Sequence, residues 1–507
     1  MADDKMDPSV VSAAYAAMAP CWDKIDSVLA GTASMRARGE KYLPRHEKEP
    51  VTQYQERLNR TTLYNASDMT LNSWVGRPFR EPIERSDEIN DDMEDVLEDV
   101  DRQGNRVDVF ARNWFKEGLA KGLAHILVDM PSKTDREYRS LADDRAAGLR
   151  PYWCFIKPEN LIFASHEVIG GREVLTHVRI KETVIQRAGF GEVMVRRIRI
   201  FDRDDTGVQY SVWQLFDSQT EAGQSSSEWR LVEGPTKIDL PEIPLVTFYS
   251  DRCGFMLAKS PLEDLVDLNI RHWQSTSDQI NVLTVARFPI LAASGISQEE
   301  ANLVIGPKKT LFTTDPAGKW YYLEHAGAAI AAGRQDLLDL KEEMANYGAE
   351  FLQKRPGGET ATARALDSSE STSALQDATR RFNDALNQAL VVTGMWMKQP
   401  EPGTLKIDLS NTVVVPDSGD WDALKTARAG RDISREAYLG ELKRRGTLDE
   451  EFDAEKDKEL LDQESLDGAP MDGEPIDEQA QGAAGVMGTP VKKKPRGVIP
   501  SGDADGE

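Results

Sequence analysis

The chain has 507 residues, 40% of them hydrophobic and 29% charged, with a formal net charge of −24. This is length for about three domains at roughly 150 residues each, and the composition is that of a globular protein with a polar surface. No run reaches the ~18 apolar residues of a membrane helix, and the start, Met1-Ala2-Asp3-Asp4-Lys5, has neither the basic nor the apolar region of a secretory leader, so neither is expected.

Cys21, Cys154 and Cys253 lie far apart, which argues against a disulfide framework and for a reducing compartment. They read as buried small hydrophobes. The six histidines are scattered without the close ligand pairs of a zinc site. The acidic balance serves solubility. It also disfavours adhesion to DNA, whose binding relies on Lys and Arg neutralising phosphates.

In chain order, residues 8–30 are Ala-rich with helical spacing, and Tyr54 to Val75 carries a second helical pattern, punctuated by Gly76, Pro78 and Pro82. Asp87 to Val100 places Ile89, Met93, Val96 and Leu97 on one stripe. Val107 to Ala124 turns Val109, Phe110, Trp114, Leu119 and Leu123 inward, and His125–Asp129 is a short buried strand. The period then changes. Tyr152–Phe163, Glu173–Glu182, Glu192–Asp202, Val208–Phe216 and Glu228–Val232 are β-branched, aromatic or alternating, and Gly, Asp and Ser clusters separate them, which predicts a β-meander.

Pro244–Tyr249 predicts another strand. Ser260-Pro261-Leu262-Glu263 then combines an N-cap, a first-turn Pro and a capping-box Glu. The helix it opens should run about 25 residues to Val285, roughly 37 Å. A mixed segment follows: a strand at Pro289–Ala293, a short helix at Gln298–Val304, and strands at Lys309–Thr314 and Lys319–Glu324. A second long helix is predicted from Ala326 to Gln353. Its first half is almost all Ala and Gly, a composition that permits close packing and that costs about 1 kcal/mol per Gly unless packing requires it.

A polar break, Arg355 to Ala363, leads to a third long helix from about Ser371–Ser373 to Met397, with Leu375, Ala378, Phe382, Leu386, Ala389 and Leu390 as its stripe. Lys406–Val415 predicts a strand, and Trp421–Ala429 and Ser434–Arg445 two helices, the second with Ser434 as N-cap and Gly446 as C′. Beyond Leu466 the chain is Gly, Pro, Ala and acids, the composition of disorder, with one basic patch at Lys492–Arg496.

Motifs that carry chemistry are missing. Gly306-Pro307-Lys308-Lys309-Thr310 lacks the upstream Gly of a phosphate loop, and Pro307 removes a needed donor. There is no Gly-x-Ser-x-Gly elbow and no His-Glu-x-x-His. Acid runs such as Asp91–Asp95 read as solvated helix faces. No catalytic constellation and no cofactor site emerges, so the expectation is a protein that is not an enzyme, with a metal-dependent nuclease on an acid cluster as the alternative.

Two long helices around a compact mixed segment, then a polar loop and a third long helix: this order resembles the portal proteins of tailed bacteriophages. Tyr42-Leu43-Pro44-Arg45-His46, Tyr54 to Arg60, Tyr64-Asn65 and Val75 to Phe79 are similar to the amino-terminal part of one portal subfamily. So are Ile243 to Val246 with Ser260 to Leu265, and Gly327 to Ile330 with Glu359 to Ala363. Asp432-Ile433-Ser434 with Leu439 to Gly446 resembles a carboxy-terminal portal element. The resemblance spans roughly residues 35 to 460.

It implies an α+β portal fold. Residues 1–258 would form the wing, 259–285 and 326–353 two stem helices, and 286–325 the clip. Residues 354–370 would form a tunnel loop, 371–400 the long wing helix, 401–465 the passage into a crown, and 466–507 an acidic tail. It further implies a closed homo-oligomeric ring, usually of twelve copies, at one capsid vertex of the virion, assembled in the host bacterial cytoplasm without a membrane. Its partners would be double-stranded DNA in transit, the terminase large subunit, a head-to-tail adaptor, and the major capsid and scaffolding proteins. Lys354, Arg355 and Arg364 are the basic loop residues expected near the phosphates, the alternative being solvent or a neighbour's carboxylates. Another virion connector component would share the same acidic profile.

Overall fold

The structure is a computed structural model that describes residues 7–131, 148–219, 225–287, 290–294, 319–323, 327–350, 373–409 and 419–444, with short pieces at 448, 452–453 and 455–458. The fold is α+β. Residues Met1–Pro416 make one compact unit and Asp417–Glu507 a second.

The first unit opens with helices α1 (Ala13–Leu29), α2 (Thr32–Arg38), α3 (Val51–Arg60) and α4 (Ala66–Gly76). Ser12 caps α1 by accepting the Tyr15 amide. The second helical pattern is thus two helices and not one. Thr61 is extended, and its hydroxyl donates back to the Arg57 carbonyl (2.7 Å), while Asn65 accepts from the Asp68 amide and caps a new helix. Short polar side chains bonding the local backbone outcompete a continuous helix at Thr61–Asn65.

Strand β1 (Glu84–Arg85), α5 (Asp91–Glu98) and α6 (Val107–Lys121) lead to β2 (Leu123–Asp129), buried along nearly its whole length. β3 (Tyr152–Ile156) and β4 (Leu161–Ile169) replace the single predicted strand, because Pro158 opens a short 3₁₀ turn between them. Then come β5 (Arg172–Ala188), β6 (Gly191–Asp204), β7 (Gly207–Gln219), β8 (Ser225–Ile238), β9 (Leu245–Tyr249), β10 (Arg252–Gly254) and β11 (Leu257–Ala258). β4 to β8 form the expected antiparallel meander, with longer strands than the hydropathy alternation marks. β3, β2 and β9 form a separate antiparallel sheet.

Helix α7 (Glu263–Ala286), strands β12 (Ile290–Ser294) and β13 (Lys319–Leu323), and helix α8 (Gly327–Glu350) follow, then α9 (Ala374–Met397) and β14 (Leu405–Lys406). β12 and β13 pair antiparallel from Ile290↔Leu323 to Ser294↔Lys319. Ser373 and Gln376 form a reciprocal capping box at the start of α9. The predicted short helix at Gln298–Val304 and strand at Lys309–Thr314 lie outside the described residues.

The core sits where α6 and α9 pack on β2 and β9. Phe382 of α9 has Trp114, Phe115 and Phe248 around it, each at a ring-centroid distance of 5.0 Å. Contacts of this kind bury the largest apolar areas available to side chains. A second cluster, including Leu127, Ile156, Val178, Ile180, Phe201 and Leu245, joins the small sheet to the meander. Among the described residues no helix is long and apolar enough to cross a membrane.

The second unit contains α10 (Gly419–Ala429) and α11 (Arg435–Arg444). Ser434 caps α11 through the Ala437 amide (3.0 Å), as its sequence predicts, and Arg435 pairs with Asp457 at 2.6 Å. Gly446, the predicted C′ residue, lies outside the described residues, as does the acidic tail.

Candidate functional site

Helix α7 is gripped at its base by residues far away in sequence. Arg57 of α3, 3% exposed, makes a two-pronged ion pair with Glu49 (2.8 Å on both arms) and donates to Ser277 of α7 (3.1 Å). Its remaining donor reaches the Pro44 carbonyl (3.0 Å). Gln274 donates to the Tyr42 carbonyl (3.0 Å), and Asn269 donates to the Tyr64 carbonyl (2.7 Å) while accepting from the Ser67 amide (3.1 Å). The amino-terminal segments Tyr42–His46, Tyr54–Arg60 and Tyr64-Asn65 therefore converge on one helix. Buried polar groups of this kind are costly unless paired, and here they are paired.

Helix α8 lies against α7. A Cβ at Gly333 would collide with the Gln279 side chain, whose amide donates to the Ile330 carbonyl (3.0 Å). The small-residue stretch thus brings the α8 backbone within hydrogen-bonding reach of α7. Nearer the body, Trp74 donates to the Gly348 carbonyl (2.9 Å), and a Cβ at Gly348 would press on Thr70. Leu340, Met344 and Gly348 are buried, but Gly327, Ala328, Ala329, Ala331 and Ala332 are exposed, and Leu338 is 48% exposed. The far half of α8 leaves small side chains open to solvent, whereas Ile280, Val282 and Leu283 in the far half of α7 are half-buried. Helix α9 is the opposite case: its whole predicted stripe is buried.

The two long helices carry nine carboxylates and three Lys or Arg. Asp264, Asp267 and Asp278 are each more than half exposed, although Lys259 pairs with Asp264 (3.5 Å) and Lys24 with Asp267 (2.8 Å); between the two helices Arg271 pairs with Asp336 at 3.5 Å. A shallow groove of about 470 Å³ between them is lined by Leu268, Asp339, Glu342, Glu343, Asn346 and Tyr347. Such a surface repels a polyanion at distances inside a Debye length of about 8–10 Å.

Lys354, Arg355 and Arg364 lie outside the described residues. The acid run at Asp91–Asp95 is accounted for by structure. Asn90 caps α5, Asp91 and Asp92 sit on its positive end, and Glu94 and Glu98 bind Arg85. Among the described residues no group of three or more His, Cys, Asp or Glu is arranged to hold a metal ion. The cysteines are free. Cys21 and Cys154 are half-buried, and burial pushes each thiol up to about 12, which makes them inert. Cys253 is exposed, against the expectation of burial, because it sits in a short edge hairpin.

Sequence reasoning missed a buried cation. Lys121, the last residue of α6, is 2% exposed and meets Asp26 (3.0 Å), Glu117 (2.7 Å) and Glu159. Burial opposes its charge, but Glu117 and Glu159 outweigh burial and hold its pKa above the ordinary lysine value. Burial, with Lys121 only partly offsetting it, pushes Asp26 up to about 6. Burial works the same way on Glu159, but Lys121 prevails and holds that carboxyl below its usual value. A lysine at a helix end gives no warning of this in sequence, since its carboxylates come from three separate elements.

A family model described as a domain of unknown function (DUF4055) matches residues 261–397, the stretch from the start of α7 to the end of α9. No curated protein matches the chain at a significant level. Among solved structures, the virion of a native gene transfer agent (GTA) particle is similar at 11% identity and a TM-score of 0.34, covering 80% of this chain and 90% of that one. The neck of an empty GTA particle, computed with C6 symmetry, is similar at 11% identity and a TM-score of 0.35, covering 79% and 89%. The neck of the native particle, computed with C12 symmetry, gives 11% identity and 0.35, covering 75% and 89%.

Proposed function

We propose that the chain is a portal subunit, a member of a closed ring at one capsid vertex through which double-stranded DNA enters and leaves a virion. The observation that carries this reading is the pair α7–α8. Two 24-residue helices bracket a β-hairpin and touch through a residue without a side chain. Their bases are locked into the body by buried polar contacts, yet the far half of α8 bares small side chains in the lone chain. Surfaces of that kind are completed by neighbours, and a head-to-tail contact that closes on itself makes a ring.

In this reading residues 1–258 are wing, 259–285 and 326–353 stem, 286–325 clip, 354–370 tunnel loop, 371–400 the long wing helix and 401–465 the approach to the crown. The acidic helices line a bore that lets DNA slide, and Lys354, Arg355 and Arg364 are the exceptions that approach phosphates. The clip meets the terminase motor and later a head-to-tail adaptor, and the wing meets capsid and scaffolding proteins. The protein performs no covalent chemistry.

Electron microscopy and native mass measurement of the purified full chain test this. The expected outcome is a ring, usually of twelve in the family it resembles, with a hole wide enough for duplex DNA. A protein that stays monomeric, or assembles as a sheet or shell with no hole, overturns it.

A further inference from the structure

The meander is covered only along half its length. Near the body, one face packs on Leu127, Ile156 and Leu245, and the other, through Ile162, Ile198 and Ile200, meets Tyr15 of α1. Beyond about residue 183 of β5 and 196 of β6, no described residue covers either face. Strand pairing sorts the side chains there. Ile185 lies opposite Met194, and Trp213 opposite Leu231, on one face. Val184 lies opposite Val195 on the other, which also carries Val193 and Phe216. Met194 is 73% exposed, Ile185 59% and Val193 51%, and Phe190 at the β5–β6 tip is wholly exposed.

Four strands about 4.8 Å apart and roughly six residues long give about 300–400 Å² per face. That is the size of the largest patch a typical monomer exposes, and such patches are often functional. Each face supplies about half of the ~800 Å² that a partner contributes to a stable interface, so each would form one part of a larger contact with its neighbour. The charges here are already answered: Arg196 pairs with Asp217 (3.1 Å), Arg230 with Glu228 (2.8 Å), and Arg187 stands opposite Glu192. Among the described residues here, Arg187, Arg196, Arg197 and Arg230 are matched in number by Glu192, Asp217, Glu228 and Glu233, so no net charge is left to draw in a polyanion. The two bare faces also differ in composition, which is what a head-to-tail contact requires.

We infer that the outer half of the meander is an intersubunit contact, occupied on both faces by further copies of this same chain. The inference rests on the ring proposed above, where every subunit has one identical neighbour on each side.

Hydroxyl-radical footprinting of the full wild-type chain, as monomer and as ring, tests it through the side chains themselves. Labelling of Phe190 and Met194 should fall at least fivefold on ring formation. The double variant Ile185→Glu, Met194→Glu should keep a native monomer, because both sites are exposed there, and should raise the concentration needed for assembly at least tenfold. If the wild-type chain never forms rings, the portal reading fails and takes this inference with it. If rings form while Phe190 and Met194 stay as reactive as in the monomer, the portal reading stands and the contact is overturned. Protection that appears only in whole particles would assign the surface to a different virion protein, and would also overturn it.

Discussion

Lys121 holds three carboxylates from α1, α6 and the turn before β4, so a single ammonium ties together segments more than a hundred residues apart in sequence. With every group ionised the cluster carries two excess negative charges, and Asp26 responds with a pKa of about 6. A folded-state value above the unfolded one means that the protonated form is preferred in the fold. The associated stability is therefore complete below about pH 3.8 and is lost as pH rises through about 6. Asp26→Asn should flatten the pH dependence of stability between about pH 4 and 7 and stabilise the protein at pH 8. Half of the Asp26 side chain is open to water, so screening leaves roughly 1 kcal/mol of gain. Thermal melts of both proteins across this range check the prediction, and an unchanged pH profile in the variant refutes it. Lys121→Met should do the reverse and weaken the fold by about 3 kcal/mol or more, since it strands three carboxylates around an apolar stem.

At the scale of elements, the architecture depends on a few places where helices come closer than side chains allow. Gly118 puts α6 against Phe248 of β9, and a Cβ there would enter the Phe248 ring. Gly118→Ala gains about 1 kcal/mol of helix propensity but forces an aromatic in a packed core to move, at a cost of about 1–3 kcal/mol. Net destabilisation of up to about 2 kcal/mol is expected in chemical denaturation; a stabilised variant would show that the core yields more easily than its packing implies. Gly333 differs, because the atom in the way is the end of a flexible Gln279. The capping box at Ser373 and the extended Thr61 mark where helices begin and end by the same local rule, a short polar side chain bonding a nearby backbone amide or carbonyl.

At the scale of the whole molecule, charge and exposure are the informative quantities. A net charge of −24 on each copy surrounds any bore with like charge, but screening restricts its reach to a Debye length. In the proposed ring, DNA near the wall would be repelled and not gripped, and the basic loop residues are the proposed places of contact. Replacing Lys354, Arg355 and Arg364 together should leave ring assembly intact, seen by electron microscopy, while lowering the DNA packaged or retained per particle. Normal packaging would remove their assigned role.

Local chemistry was legible from residue order alone. The cap at Ser434, the start near Ser371–Ser373 and the stripe of α9, the meander and the three long helices all follow from periodicity and capping, because these depend on neighbours within a few residues. Boundaries were misread at Thr61–Asn65 and Pro158, where a polar side chain or a missing amide proton redirects the backbone, and at the end of α6, which stops at Lys121 so that Leu123 opens β2; Val109, expected inward, is exposed. The sequence also carried the net acidity and the order of long helices that point toward a channel. Only the tertiary structure decided that Arg57, Asn269 and Gln274 anchor the first long helix, that Lys121 is buried among acids, and that half of the meander is bare on both faces. Each of these depends on segments meeting across long stretches of chain, and burial is a property of the folded neighbourhood, which no local pattern encodes.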